Sequence, residues 1–323
     1  MNNFRLLKIG FAFLFLVSSW AQADNGFSRV YVFGDSLSDT GNAASVVGDF
    51  PPPFFMNRVS NGPVAVETLA TRLGLNAEAS LHLISPAIGS NYAVAGASAR
   101  TSADLNDLDN QIIFFLANHA AGAPADALYV VFIGGNDIRD AREEADFTKA
   151  RNIVKEAADK VKNAIETLAG AGAESFLLVN APDVGLIPET QLTSTLLGDP
   201  KLIKRTSRLS KLYRKRLHRI ANQFDDYGNE IEIVEFDLFK FLRKLLRKAD
   251  KLGFANTTDP CFSTSLYLPD SFFHPDCNFD QFVFFDEIHL TARAHALAGE
   301  AMFEALEEDG DDDDDDDSDS DSE

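Results

Sequence analysis

Five short runs dominated by apolar or β-branched residues punctuate the chain, at 30–33, 92–95, 128–133, 175–179 and 231–234. Such runs read as strands buried on both faces. Between them lie stretches with helical periodicity, at about 64–73, 104–118, 147–169, 200–224, 238–251 and 291–306. Strands that alternate with helices have few ways to fold. The connections are long enough to cross over, so successive strands run parallel and the helices cover both faces of the sheet. The expected architecture is α/β, a three-layer sandwich with a mainly parallel five-stranded sheet flanked by helices. In such sheets ligands gather beyond the carboxyl ends of the strands.

Three of these runs end in a glycine turn that carries polar residues. The first is Val30-Tyr31-Val32-Phe33-Gly34-Asp35-Ser36, which sets a serine where a buried strand breaks. A serine hydroxyl is a poor nucleophile until a base takes its proton. The chain supplies that base near its far end, in Asp286-Glu287-Ile288-His289, where a carboxylate three residues before a histidine can reach the ring Nδ1–H and fix the tautomer. The other two turns, Asn91-Tyr92-Ala93-Val94-Ala95-Gly96-Ala97 and Phe132-Ile133-Gly134-Gly135-Asn136-Asp137, leave backbone N–H groups free to meet a ligand, and Asn136 adds an amide donor. Each fragment taken alone is a common turn or helix start. Their joint occurrence, each after an apolar run, is what points to acyl transfer.

With these four fragments in this order, the chain resembles the GDSL lipases and esterases of the SGNH-hydrolase superfamily. The resemblance covers about residues 28–305, and the stretch 30–42, the turn Ser60-Asn61-Gly62-Pro63 and the segment 286–295 look most like the bacterial phospholipase, lecithinase and haemolysin branch. It implies a flavodoxin-like sheet, Ser36 as nucleophile, His289 as general base and acid, and Asp286 as its orienting carboxylate. It also implies an oxyanion hole made of the Ser36 N–H, the Gly96 N–H and the Asn136 amide, with no cofactor and no metal. Leu290 stands where many members of that family carry proline after the histidine. The implied substrate is a carboxylic ester, in this branch a lipid acyl ester, with phospholipase A or lysophospholipase activity. Acyl transfer from a glycerophospholipid to a sterol, general carboxylesterase action and deacetylation of a polysaccharide are the neighbouring reactions. An exported lipid- or calcium-binding protein with a decayed site is the non-enzymatic alternative.

The two ends differ from the middle. Arg5 and Lys8, the apolar run 9–17 and Ala21-Gln22-Ala23 have the layout of a secretory signal, so residues 1–23 are expected to be removed and the exported domain to occupy 24–306. Residues 307–323 hold 13 acidic and no basic residues, a composition expected to stay disordered. With a formal net charge of −21, the chain is a poor partner for nucleic acid. Its two cysteines, Cys261 and Cys277, suit one disulfide in an oxidising compartment, two free buried thiols being the alternative. In the chain-entropy picture a loop of that length stabilises by roughly 3 kcal/mol.

Two further features bear on substrate and partners. Aromatic side chains crowd two loops, Phe50-Pro51-Pro52-Pro53-Phe54-Phe55-Met56 and 254–285, the second with Phe262, Tyr267, Leu268, Phe272, Phe273, Phe279 and Phe282. Taken one by one these are expected to pack on the domain; the first loop is an even choice between packing and an acyl-chain groove. The helix over 201–219 carries nine basic residues and no acidic one. Its outer face is expected to be solvated, or else to make transient contact with an anionic membrane surface or with the acidic tail. No sequence feature speaks to the oligomeric state.

Overall fold

A computed structural model describes residues 26–101, 105–226, 231–264 and 272–308. The expected signal and nearly all of the acidic tail lie outside these residues. Four strands form a parallel sheet in the order β1 (Arg29–Gly34), β2 (Ala127–Phe132), β3 (Ser175–Val179) and β4 (Glu232–Phe236). Neighbouring strands pair in register, Val30 with Leu128 and Leu128 with Ser175.

Side chains along each strand point alternately to opposite faces. Tyr31, Phe33, Tyr129, Val131, Phe176 and Leu178 enter one core, whereas Val30, Val32, Leu128, Val130, Leu177 and Val179 enter the other. The helices, in chain order, are α1 (Asn42–Val47), α2 (Ala65–Arg72), α3 (Leu108–Asn118), α4 (Gly135–Glu143), α5 (Phe147–Gly170), α6 (Pro188–Leu197), α7 (Lys201–Asp226), α8 (Leu238–Arg247) and α9 (Ala292–Glu308). Helices α3, α5 and α7 cover the first face; α2 and α9 cover the second. The expected three layers are therefore present.

The strand count differs from the expected five, because 92–95 does not form a regular strand. This segment does lie parallel against β1, with the N–H groups of Tyr92 and Val94 donating to the carbonyls of Val32 and Gly34 at 2.7 and 3.1 Å. On its other side, however, the Ala93 N–H is taken by the Asn91 side chain at 2.9 Å and the Ala95 N–H by Asp39 at 2.8 Å. Side-chain acceptors replace a sheet neighbour on that edge, so the ladder stops.

Helices α1, α4 and α6 stand where none was expected. Helix α8 ends at Arg247, short of the expected 251, and a 3-10 turn, Ala249–Leu252, follows it up to Gly253 in the left-handed region. Beyond α8, β5 (Asn256–Pro260) pairs parallel with β8 (Phe282–Phe284), and β6 (Phe262–Ser263) pairs antiparallel with β7 (Phe272–Phe273). Cys261 and Cys277 are joined by a disulfide that closes this excursion. No helix among the described residues is long and apolar enough to cross a membrane.

Candidate active site

Strand β1 ends at Gly34, and the chain turns at once. The Asp35 carbonyl accepts from Ser38 and Asp39, both at 3.0 Å, while the Asp35 carboxylate accepts from Leu37 at 3.0 Å. Buried Gln111 of α3 donates to the Gly34 carbonyl at 2.8 Å and accepts its N–H at 2.9 Å, pinning the strand end that carries Ser36.

The loop after β8 is organised by one carboxylate. Asp286 Oδ1 accepts from the backbone N–H groups of Ile288 at 2.8 Å and His289 at 2.7 Å, and both its oxygens lie 2.8 Å from His289 Nδ1. Because Nδ1–H donates to Asp286, Nε2 is left as the acceptor, and it lies 2.7 Å from Ser36 Oγ. Ser36, Asp286 and His289 are all buried, so their contacts are made largely out of water. Residues 253 positions apart in the chain thus meet in one hydrogen-bonded row.

Two backbone donors bear on the expected oxyanion hole. The N–H groups of Ser36 and Gly96 make no hydrogen bond among the described residues. Gly96 has φ +88°, a left-handed conformation that suits glycine. Asn136 sits in the first turn of α4, where helical N–H groups favour negative charge. Its Nδ2 donates to the Ala97 carbonyl at 2.8 Å, and its Oδ1 accepts from Arg139 at 3.0 Å. A cleft is lined by Asp35, Ser36, Leu37, Gly135, Asn136, Arg139, Pro182, Val184, Ile187 and Ile288. The structure brings Ser36, His289 and Asp286 into contact, and Ser36 and Asn136 line one cleft. Gly96 lies outside that lining, on the adjoining loop whose Ala97 carbonyl holds Asn136.

Several site residues were given no role by the sequence. Asp35 is buried beside Ser36, and burial pushes its carboxyl up to about 6. Asp39 collects the N–H groups of Gly41, Asn42, Ala43 and Ala95, bracing the Gly96 loop against the turn after Ser36. Asp137 receives the N–H groups of Ala99 and Arg100, so that loop is also tied to α4. Burial raises both carboxyls from their ordinary value. Helical i, i+3 spacing from Asn136 to Arg139 is the one signal that could have marked Arg139. Among the described residues, no group of three or more His, Cys, Asp or Glu side chains is placed to hold a metal ion.

The aromatic loops pack largely on each other. Phe54 meets Phe50, Phe262 and Phe285, and Phe279 stacks on Phe285. Met56, Phe272 and Phe273 stay exposed, and Tyr267 and Leu268 lie outside the described residues. On α7, Arg205, Arg214 and Arg216 pair with Asp199, Asp237 and Asp159. Lys201, Lys204, Arg208, Lys215 and Arg219 are exposed.

Fold and site together define a three-layer α/β protein with a serine, histidine and carboxylate in line at the carboxyl edge of its sheet. The family model described as GDSL-like Lipase/Acylhydrolase matches residues 30–302. The chain belongs to that family, a class of carboxylic ester hydrolases. It is 29% identical to the phosphatidylcholine-sterol acyltransferase of Aeromonas hydrophila over 253 residues, 76% of this chain and 68% of that protein. It is 34% identical to lipase 1 of Photorhabdus luminescens over 169 residues, 51% of this chain and 24% of that protein. It is 26% identical to the thermolabile hemolysin of Vibrio parahaemolyticus over 300 residues, 88% of this chain and 65% of that protein. Among solved structures, the acetylxylan esterase Axe2 of Geobacillus stearothermophilus aligns with a TM-score of 0.45 at 12% identity, covering 87% of this chain and 95% of that one.

Proposed function

We propose that the protein hydrolyses acyl esters of lipids through a Ser36–His289–Asp286 triad. The observation that carries this reading is the unbroken row from Asp286 to His289 at 2.8 Å and from His289 to Ser36 at 2.7 Å, opening on a partly apolar cleft. In the reaction, His289 Nε2 takes the Ser36 proton as Oγ bonds to the ester carbonyl carbon. The carbonyl oxygen becomes an oxyanion held by the N–H groups of Ser36, Gly96 and Asn136. His289 then gives its proton to the departing alcohol oxygen, and the carbon–oxygen bond breaks. Water attacks the acyl-enzyme with His289 again as base, and Ser36 is released. Leu37, Pro182, Val184, Ile187 and Ile288 give the cleft a wall suited to an acyl chain.

Acyl transfer to a sterol is the second reading, supported by the similarity to a phosphatidylcholine-sterol acyltransferase. Export is part of the proposal too: the N-terminal layout supports removal of residues 1–23, and N-terminal sequencing of the exported protein should begin at Asp24. A serine-reactive organophosphonate should label Ser36, and Ser36→Ala or His289→Ala should abolish turnover of p-nitrophenyl esters while the melting temperature holds. Full activity in Ser36→Ala would reject the triad. Phosphatidylcholine supplied with and without cholesterol then separates hydrolysis from transfer by the appearance of free fatty acid or sterol ester.

A further inference from the structure

Arg139 lines the cleft beside Asn136, yet the proposed reaction gives it no task. We infer that Arg139, clamped by Glu189, is a positioning residue that fixes and polarises the Asn136 amide; this rests on reading Asn136 as an oxyanion donor. An asparagine amide can turn over and exchange its oxygen for its nitrogen. At Asn136 both neighbours forbid that exchange. A guanidinium only donates and a backbone carbonyl only accepts, so Arg139 requires Oδ1 on its side and Ala97 requires Nδ2 on the other. The reversed amide would set donor against donor and acceptor against acceptor. In the observed orientation one Nδ2 hydrogen goes to Ala97, and the second is unengaged among the described residues. Charge drawn onto Oδ1 by the guanidinium also makes Nδ2–H a stronger donor.

Arg139 is itself immobilised. Its Nε and Nη2 donate to Glu189 Oε2 and Oε1 at 2.7 and 2.5 Å, a fork that fixes the guanidinium plane. Glu189 is only 1% exposed, and buried Arg142 donates to it at 2.9 Å, so the carboxylate keeps a counter-charge of its own. The Glu189 N–H donates to the Glu287 carbonyl at 2.8 Å, one residue from Asp286. A single residue at the start of α6 therefore joins the wall bearing Asn136 to the loop bearing His289. Buried ion pairs of this kind add little net stability over apolar replacements, so stability alone is a weak reason for placing one here.

The test is a double-mutant cycle on kcat with a short p-nitrophenyl ester, with folding followed by melting temperature. Arg139→Met should lower kcat by about tenfold, inside the 10²–10³ loss expected for Asn136→Ala, with KM within about twofold. Once Asn136 is alanine, adding Arg139→Met should cost no more than about twofold, because the residue acts only through the amide. Arg139→Lys, which retains the charge but not the fork, should fall between wild type and Arg139→Met, and it serves if the methionine variant does not fold. Losses that multiply independently in the double variant, or a rise in KM larger than the fall in kcat, would overturn the inference by assigning Arg139 to general structure or to direct substrate contact. Unchanged kcat in both arginine variants would also overturn it while leaving the triad intact; full activity in Ser36→Ala would fail the triad instead.

Discussion

Burial sets the charge state of two histidines that take no part in the proposed row. His295 on α9 is held down to about 3 and His82 to about 4, in each case chiefly by burial, with His289 adding to the effect at His295. His295 Nδ1 accepts from the Ala65 N–H at 3.2 Å, and its buried Nε2 has no hydrogen-bond partner among the described residues. In the unfolded chain this ring takes a proton near pH 6.5, but the folded protein resists it until about pH 3. Between those values the unfolded state binds more protons, so this group's contribution to stability falls as pH drops. Asp35 works the other way. Its folded carboxyl is protonated near 6, so acidification from there towards 4 favours the fold. His295→Asn keeps an acceptor for Ala65 and removes the titration. Unfolding free energies from urea titrations between pH 6.5 and 4 should fall further in wild type than in the variant as pH drops, the difference growing by up to about 1.4 kcal/mol per pH unit. Parallel wild-type and variant curves would show that His295 is not the group responsible. Neither histidine was legible in the sequence, because what distinguishes it is the packing around it. Ser36, Asp286 and His289 were legible because strand end, spacing and turn residues all lie within a few positions of each. Arg139 and Glu189 are 50 positions apart, and only the fold shows that they meet.

At the scale of elements, long amphipathic helices and strands with two buried faces were the readable ones: β1 to β4, α5 and α7 all lie near their expected bounds. Helix α4 escaped because its sequence, Gly135–Glu143, opens on a glycine turn and contains mostly polar residues, so local propensity is weak and tertiary contacts decide. Segment 92–95 failed as a strand for the opposite reason. Its apolar pattern is sound, but Asn91 and Asp39 capture the amides that a neighbouring strand would have used. The α2–α9 packing against the second face has its own requirement at Gly299. A Cβ added there would collide with Thr68 and the Ala65 carbonyl on α2. Gly299→Ala must therefore push the two helices apart, and overpacking of this kind costs about 1–3 kcal/mol. At roughly 2–4 °C per kcal/mol for a domain of this size, the melting temperature should fall by about 2–12 °C. Gly299 lies well down α9 from His289, so kcat at 25 °C should change little. A melting temperature equal to wild type would mean that α2 and α9 are not in close contact.

Charge and apolar surface combine differently on the whole molecule than composition suggests. The formal net charge is −21, yet exposed Lys201, Lys204 and Arg208 open α7, directly after a helix that exposes three leucines. Leu192 is 36% exposed, Leu196 70% and Leu197 68% on α6, the helix that follows Ile187 of the cleft wall. Exposed leucines beside cations suit an anionic lipid surface: the side chains enter the acyl boundary while the cations meet the headgroups. We propose that any membrane contact uses the first turns of α7 together with α6, the helix after Ile187 of the cleft lining. Attraction by the cations should weaken with salt, whereas insertion of leucines should not. The acidic tail 307–323 is expected to compete for the same cations, since tethering raises its local concentration. Sedimentation with phosphatidylcholine vesicles containing phosphatidylglycerol should therefore show tighter binding after deletion of 307–323 at low salt, and equal binding of the two forms at high salt. Charge reversal at Lys201, Lys204 and Arg208 should abolish the low-salt binding of both forms, and Leu196→Ser with Leu197→Ser should weaken it at every salt concentration. Vesicle binding indifferent to all five substitutions would place the membrane contact elsewhere on the protein.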